Sequence, residues 1–308
     1  MMFRFFLVIV LVFSFVSCSE KPRYTKDLLQ KGMKAYQSNN YKKAKDYLKQ
    51  AIYESKGATP EDIMKAKFAL ADTYFKLKMY VDAIVEFEEF ISLYPTSPRV
   101  PEALYKLAVS YLKISPSPDR DLTYVKKAEE KAEEIINNYP FSKFVDKAKK
   151  IIEKARKKEA QHYILIARLY ENLGKPYSAA VYYNYVYDEF TDYIDKPYIE
   201  YKLAENLLNI PKQYEKEIKL YKKKIAILEK KIETEKDIDK KNILLNRKKL
   251  LIEHLETLEN RIKDGKNRAI AILKNAYNMY PESEYRDDIK SLLDRYEKTR
   301  SFSKKNEK

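Results

Sequence analysis

The sequence predicts an all-α fold: a superhelix of about five stacked helix pairs, with a helical hairpin inserted in the last pair. Three observations predict it. The 308 residues contain only 4 Gly, too few for the tight turns of sandwiches and barrels or for a Gly-rich phosphate loop. Second, one pattern recurs at 83–97, 128–142 and 269–283: an Ala, compact or apolar residues four and seven places on, then Tyr-Pro-x-Ser. Third, apolar residues elsewhere step by three and four, the spacing of a helical stripe.

Residues 1–17 read MMFRFFLVIVLVFSFVS, with Arg4 the only charge. The apolar run is shorter than the roughly 20 residues a membrane-spanning helix needs, and a small residue, Ser17, closes it before Cys18, as in a secretory signal. Residues 18–23 form a tether. The first helix of each pair is expected at Thr25–Gln37, Ile63–Lys76, Pro101–Ile114, Lys158–Leu173 and Pro197–Asn209. The second helices carry the triplets Ala44/Leu48/Ala51, Ala83/Phe87/Phe90, Ala128/Ala132/Ile135, Ala180/Asn184/Tyr187 and Ala269/Leu273/Ala276. The Ala admits a neighbouring helix and the larger residues fill the groove beside it. Pro95, Pro140 and Pro281 stop these helices, since proline has no N–H and disfavours helical geometry at the residue before it. Ser97, Ser142 and Ser283 are placed to cap or turn into the next helix.

Residues 212–263 separate the two helices of the fifth pair. Ile218, Tyr221, Ile225, Leu228 and Ile232 form one stripe; Leu251, Leu255, Leu258 and Ile262 form another. They predict an antiparallel coiled-coil hairpin turning within 233–241, its arms about 33 Å long at 1.5 Å per residue. It could be a partner arm, a self-association surface or an inert insertion. A last helix, Ser283–Thr299, covers the exposed end, and 300–308 is a disordered tail.

The chemistry-bearing residues are few. A single Cys excludes a disulfide framework, and two His (162 and 254) leave no metal or triad spacing. No enzyme, cofactor or metal is expected. Sixty-one basic against 46 acidic residues give a net charge of +15. The surplus either coats solvated helix faces or favours an acidic partner; an exported chain is not expected to bind nucleic acid. Binding is the remaining chemistry. Repeat register puts Leu29, Met33, Tyr36, Phe68, Asp72, Phe75, Tyr105, Val109 and Leu112 on the inner, concave surface of pairs one to three, with Lys26, Lys65, Lys76 and Lys113 at the rim. An aromatic groove with basic rims suits a peptide. Half of these side chains could equally be core.

The small-x-x-Tyr of Ala71–Tyr74, Ala108–Tyr111 and Ala167–Tyr170, followed by the Ala triplets and Pro, resembles the tetratricopeptide repeat. Val16-Ser17-Cys18 resembles a bacterial lipoprotein signal, although Phe15 departs from it. That resemblance implies a lipid on Cys18, loss of Arg4 with the leader, and outer-membrane sorting by Ser19. The whole order further resembles the BamD family of outer-membrane assembly lipoproteins. Cys18 with its tether, Tyr94-Pro95-Thr96-Ser97, the Asp119-Arg120-Asp121-Leu122-Thr123 loop, and Tyr139-Pro140-Phe141-Ser142 before a long helix carry the likeness. The 212–263 insertion and the missing Pro after Phe190 depart from it.

This resemblance implies a lipid-anchored scaffold on the periplasmic face of the outer membrane. Residues 24–143 would receive unfolded outer-membrane protein precursors. Residues 144–299 would hold the periplasmic domain of the β-barrel insertion channel, beside other assembly lipoproteins. Another repeat lipoprotein, a pilotin or a Tol–Pal-associated coordinator, is the alternative; a glycan-binding uptake lipoprotein is disfavoured by the absence of Trp.

Overall fold

The computed structural model describes residues 25–54 and 58–306, with side-chain environments for 27–54 and 58–296. The expected leader, Cys18 and the tether up to Tyr24 lie outside the described residues. Among the described residues there are eleven helices and no strand. They are α1 (Thr25–Gln37), α2 (Tyr41–Glu54), α3 (Pro60–Lys76), α4 (Tyr80–Leu93), α5 (Val100–Ile114), α6 (Thr123–Asn138), α7 (Val145–Asn172), α8 (Pro176–Glu189), α9 (Lys196–Thr234), α10 (Ile238–Met279) and α11 (Arg286–Asn306). No helix among them is long and apolar enough to cross a membrane.

Two recurring joints build the pairs. Inside a pair, α1/α2, α3/α4 and α7/α8 are linked by one residue at positive φ: Asn39 (60°), Lys78 (61°) and Gly174 (65°). Around each, the next N–H returns to the carbonyl five residues back: Asn40 to Ala35 (2.8 Å), Met79 to Tyr74 (2.9 Å) and Lys175 to Tyr170 (2.9 Å). This is the left-handed helix stop. Lysine carries a Cβ penalty there that glycine does not. Lys78→Gly is therefore expected to stabilise the chain by up to about 1 kcal/mol, read as a higher thermal midpoint; an unchanged or lower midpoint would show the strain to be absent.

Between pairs, the Tyr-Pro-x-Ser segments form one turn three times. The Ser N–H donates to the Tyr carbonyl at 97/94 (3.0 Å), 142/139 (2.9 Å) and 283/280 (3.2 Å). The Ser hydroxyl oxygen accepts from the N–H two residues on, at Arg99 (3.3 Å), Phe144 (3.3 Å) and Tyr285 (3.2 Å). After α8 the same backbone bond forms without the proline, Tyr193 N–H to the Phe190 carbonyl at 2.8 Å. Helix α3 starts instead on a reciprocal cap. The Thr59 side chain accepts from Asp62 N–H at 3.2 Å, and Thr59 N–H donates to the Asp62 carboxylate at 3.3 Å.

The chain divides into two compact units. Of the described residues, the first holds those up to 115 and 123–152; the second holds 116–122 and those from 153 on. The core of the first is Leu48, Phe87, Phe90, Leu104, Leu107 and Ile135 with the alanines that let them meet; the second centres on Tyr183, Ile199, Leu203, Ile210 and Leu273. All three residues of the triplets at Ala44, Ala83, Ala128 and Ala269 are fully buried. The triplet at Ala180 is off by one residue. Asn184 and Tyr187 are only half-buried, whereas Ala179, Tyr183 and Val186 are at 0% exposure. Consecutive alanines at 179 and 180 offer two registers; the buried one carries Tyr183 and Val186, whereas the other would bury the polar Asn184.

Gly32 lies at a close approach between α1 and α2. A Cβ there would lie 2.8 Å from Leu48 Cδ2 and 3.1 Å from the Leu48 backbone nitrogen. Overpacking of this kind costs about 1–3 kcal/mol, so Gly32→Ala should lower the unfolding free energy measured in urea by that amount. A neutral result would mean that Leu48 swings aside freely.

The hairpin is not a separate insert between two short helices. Helix α9 runs unbroken through Pro211, and α10 runs unbroken from 238 to 279. Residues 235–237 make the whole turn, and Asp237 caps α10 by accepting from Asp239 and Lys240 N–H at 3.0 and 3.1 Å. Lys222–Glu259 (2.9 Å) and Lys248–Glu229 (2.8 Å) set the register of the arms. Helix α11 continues to Asn306, past the end expected at Thr299, because neither Pro nor Gly occurs in 300–306 to stop it.

Candidate polypeptide-binding site

In the first unit α1, α3 and α5 are successive neighbours. They align Tyr36, Asp72 and Lys106, near one repeat length apart in sequence. The Tyr36 hydroxyl donates to Asp72 Oδ2 at 2.6 Å, and the Lys106 ammonium lies 2.6 Å from Asp72 Oδ1 and 2.6 Å from Glu102 Oε1. Asp72 is 2% exposed. Burial pushes the Tyr36 hydroxyl well above the ordinary tyrosine range, and its bond to the Asp72 carboxylate pushes the same way. Phe68 lies under this row, with Arg99 4.6 Å and Lys106 5.3 Å from its ring centre.

Of the nine residues expected on this surface, Leu29, Phe68 and Asp72 are buried and cannot meet a partner as placed. Phe68 is drawn inward by Phe87 and Phe90, whose rings lie 6.1 and 5.3 Å away edge-on. Leu29 joins the same core. Asp72 is held by Tyr36 and Lys106. Met33, Tyr36, Phe75, Tyr105, Val109 and Leu112 are half-buried and pack on that core with part of each side chain outward. Their rings already have neighbours: Tyr36 meets Tyr41, Phe75 meets Tyr80, and Tyr105 stacks on Phe144 at 5.4 Å. Lys65 pairs with Glu61 at 2.6 Å on the surface.

Lys106 was not singled out by sequence reasoning. Its signal is spacing alone, one repeat beyond Asp72, since a single lysine in a 35% charged chain stands out by nothing else.

The second unit carries a comparable tie. Glu171 on α7 meets Lys202 (3.0 Å) and Asn206 (2.6 Å) of α9 and the Tyr183 hydroxyl (3.3 Å) of α8. Arg168 donates to the Tyr198 hydroxyl at 2.8 Å. Two cavities lie here. One, of about 400 Å³, is walled by Leu207, Leu208, Ile262 and Tyr296, with Lys212 and Lys266 at its edge. The other, of about 240 Å³, is walled by Tyr187, Glu200, Leu203 and Arg268. The Tyr187 hydroxyl is pushed up to about 12, first by its bond to Glu200 and then by burial.

The loop residues Asp119, Arg120 and Asp121 are exposed, while Leu122 is buried. His162 pins the loop to α7: its Nδ1–H donates to the Pro118 carbonyl at 2.5 Å. A bond from Ser117 and backbone bonding hold the Asp119 carboxyl below its ordinary range.

Comparison with known proteins decides the family. Residues 21–221 match the YfiO family, described as outer membrane lipoprotein. A protein of Aquifex aeolicus (strain VF5), provisionally named outer membrane protein assembly factor BamD, is 33% identical over 273 residues, 89% of each chain. The chain belongs to this outer membrane lipoprotein family. The family match ends at Tyr221, so most of the hairpin lies beyond it. The TPR2AB-domain:pHSP90 complex of yeast Sti1 aligns at 14% identity and a TM-score of 0.37, covering 87% of this chain and 96% of that one. A thermophilic TPR protein of Thermus thermophilus aligns at 17% and 0.31, covering 74% and 98%. Neither bears on the family. The tetratricopeptide character of this member rests on its own helix pairs, joints and Ala triplets.

Proposed function

We propose that this member of the outer membrane lipoprotein family is a non-catalytic scaffold of β-barrel assembly, anchored by a lipid on Cys18 at the periplasmic face of the outer membrane. The observation that carries this reading is the 33% identity to the BamD-named protein across 89% of both chains. Extent matters here: a shared repeat alone would leave the job open. The first unit receives unfolded barrel precursors. Its half-buried Met33, Tyr36, Phe75, Tyr105, Val109 and Leu112 offer apolar and aromatic edges of the kind an extended, aromatic-rich segment can cover. Arg99 beside them, its side chain about half exposed, suits a carboxylate. The second unit holds the insertion channel's periplasmic domain, with the 400 Å³ cavity as an anchor pocket of ordinary ligand-site size. Asp119, Arg120 and Asp121 present a charged, exposed loop in that unit for the same partner.

The test is native co-purification from detergent-solubilised membranes, paired with depletion. Recovery of the insertion channel, with general loss of outer-membrane barrels on depletion, is expected. Recovery of pilus or polysaccharide secretion parts without the channel would overturn the reading. Cys18→Ala should move the chain from the membrane to the soluble fraction; unchanged fractionation would remove the lipid anchor from the account.

A further inference from the structure

We propose that one broad side of the α9/α10 hairpin is a docking surface for an anionic lipid bilayer. The inference rests on the hairpin itself and on the family's membrane setting, not on the barrel-assembly reading.

Six large apolar side chains of the hairpin stand exposed outside the coiled-coil seam; Ile238 and Leu245 lie on the other side of α10, and four share one side. Leu220 and Ile227 on α9 are 48% and 45% exposed, and Ile243 and Leu250 on α10 are both 66% exposed. Each pair is seven residues apart, so each makes one line along its helix. The seam is a different line. It contains Tyr221 and the buried Leu228 on one arm, and Leu251 and the buried Leu258 on the other. At about 100° per residue, each outer line lies roughly a quarter turn from its own seam, in the same rotational sense. In arms that run antiparallel, equal rotation from the seam puts both lines on one side. The Lys248–Glu229 pair then sets Ile227 and Leu250 at one level.

The charge on that side is dominated by one sign along α9. Lys216, Lys223, Lys224, Lys230 and Lys231 fall within about 80° of the Leu220–Ile227 line. All five are exposed, and among the described residues none forms an ion pair with a carboxylate. Glu217 sits at the seam edge of this sector and is engaged there, accepting from the Tyr221 hydroxyl at 2.9 Å. Glu229 points away and is spent on Lys248. Arg247, also exposed, lies between Ile243 and Leu250 on the other arm.

Leu220 and Ile227 among five lysines, beside Ile243 and Leu250 with Asp239, Arg247 and Glu253 around them, make an apolar line with a net positive surround that matches a membrane interface. The apolar groups enter the acyl boundary while long lysine stems keep their ammonium groups among anionic headgroups. A second copy of the same face would bring like charges together. An acidic helix of a protein partner shares the charge complementarity but would need a groove, and these side chains stand on the outward curve of two helices. The family is one of outer membrane lipoproteins, so lipid is the surface at hand.

The experiment uses the full chain with Cys18→Ser, carrying Ile227→Cys or, on the opposite side, Glu233→Cys, labelled with an environment-sensitive fluorophore. The probe at 227 is expected to shift to the blue with phosphatidylcholine vesicles containing a third phosphatidylglycerol. It should not shift with phosphatidylcholine alone, and the shift should vanish at about 1 M salt. The probe at 233 should stay unshifted. Lys223→Glu with Lys230→Glu should lower vesicle partitioning by at least about tenfold, with the circular dichroism unchanged. Equal response to neutral vesicles, equal shifts at 227 and 233, or a response only to an acidic amphipathic peptide would each overturn the proposal.

Discussion

Lys106→Met is expected to destabilise the first unit by about 3–5 kcal/mol, because it strands Asp72 as a buried charge. The Lys106 side chain is 12% exposed and that of Asp72 only 3%. After the substitution the carboxylate keeps the Tyr36 hydroxyl and nothing cationic at Oδ1. Methionine preserves most of the stem that lies near Phe68, so the loss reports charge rather than packing. The thermal midpoint should fall on the order of 10 °C. Removing both charges, with Asp72→Asn beside Lys106→Met, should recover much of the loss, since a pair replaced together leaves no orphan. A drop below about 1 kcal/mol in the single variant would mean that water reaches the pair and that it behaves as a surface bridge.

Phe90→Ala should cost a similar 3–5 kcal/mol, for a different reason. Phe90 is at 0% exposure, with Phe68 5.3 Å and Tyr94 5.5 Å from its ring centre. It therefore ties α4 to α3 and to the Tyr-Pro-x-Ser turn at once. Truncation removes buried area and leaves a cavity that two rigid rings cannot collapse into. Phe90→Leu should cost much less, and Val85→Ala, on the exposed side of the same helix, should stay within about 0.5 kcal/mol. Denaturant unfolding of the three variants checks the order; equal costs at 85 and 90 would contradict the burial pattern.

Local rules carried the fold in the sequence. Thr25–Gln37 reads as a helix because nothing in it breaks one and Asn39-Asn40 can turn left-handed. The serines at 97, 142 and 283 read as joints because a proline two residues earlier ends the helix. Binary spacing was enough for four Ala triplets. It failed at 179–187, where two alanines in a row offered two registers and the expected one placed Asn184 inward while the fold buries Tyr183 and Val186. The site was less legible. Phe68 and Leu29 share their helical face with residues that do reach the surface, and only the packing of Phe87 and Phe90 against Phe68 draws the line. The tie from Tyr36 through Asp72 to Lys106 spans three pairs. No local pattern encodes it, because it exists only once those helices are stacked. The hairpin's stripes were visible, but its fusion with the fifth pair was not: the expected helix ended at Asn209, yet α9 runs on through Pro211 with the missing N–H on an exposed flank.

That fusion makes the hairpin a telescoping mast. Both arms share one seam, so shortening each by a single heptad would keep knobs facing holes and leave Gly265 seated against Ile210 at the foot. Reach would change by about 10 Å per step while the foundation stayed put. Trimming by any other increment would twist the upper storey relative to the lower, so homologues with arms of differing height should differ by whole heptads.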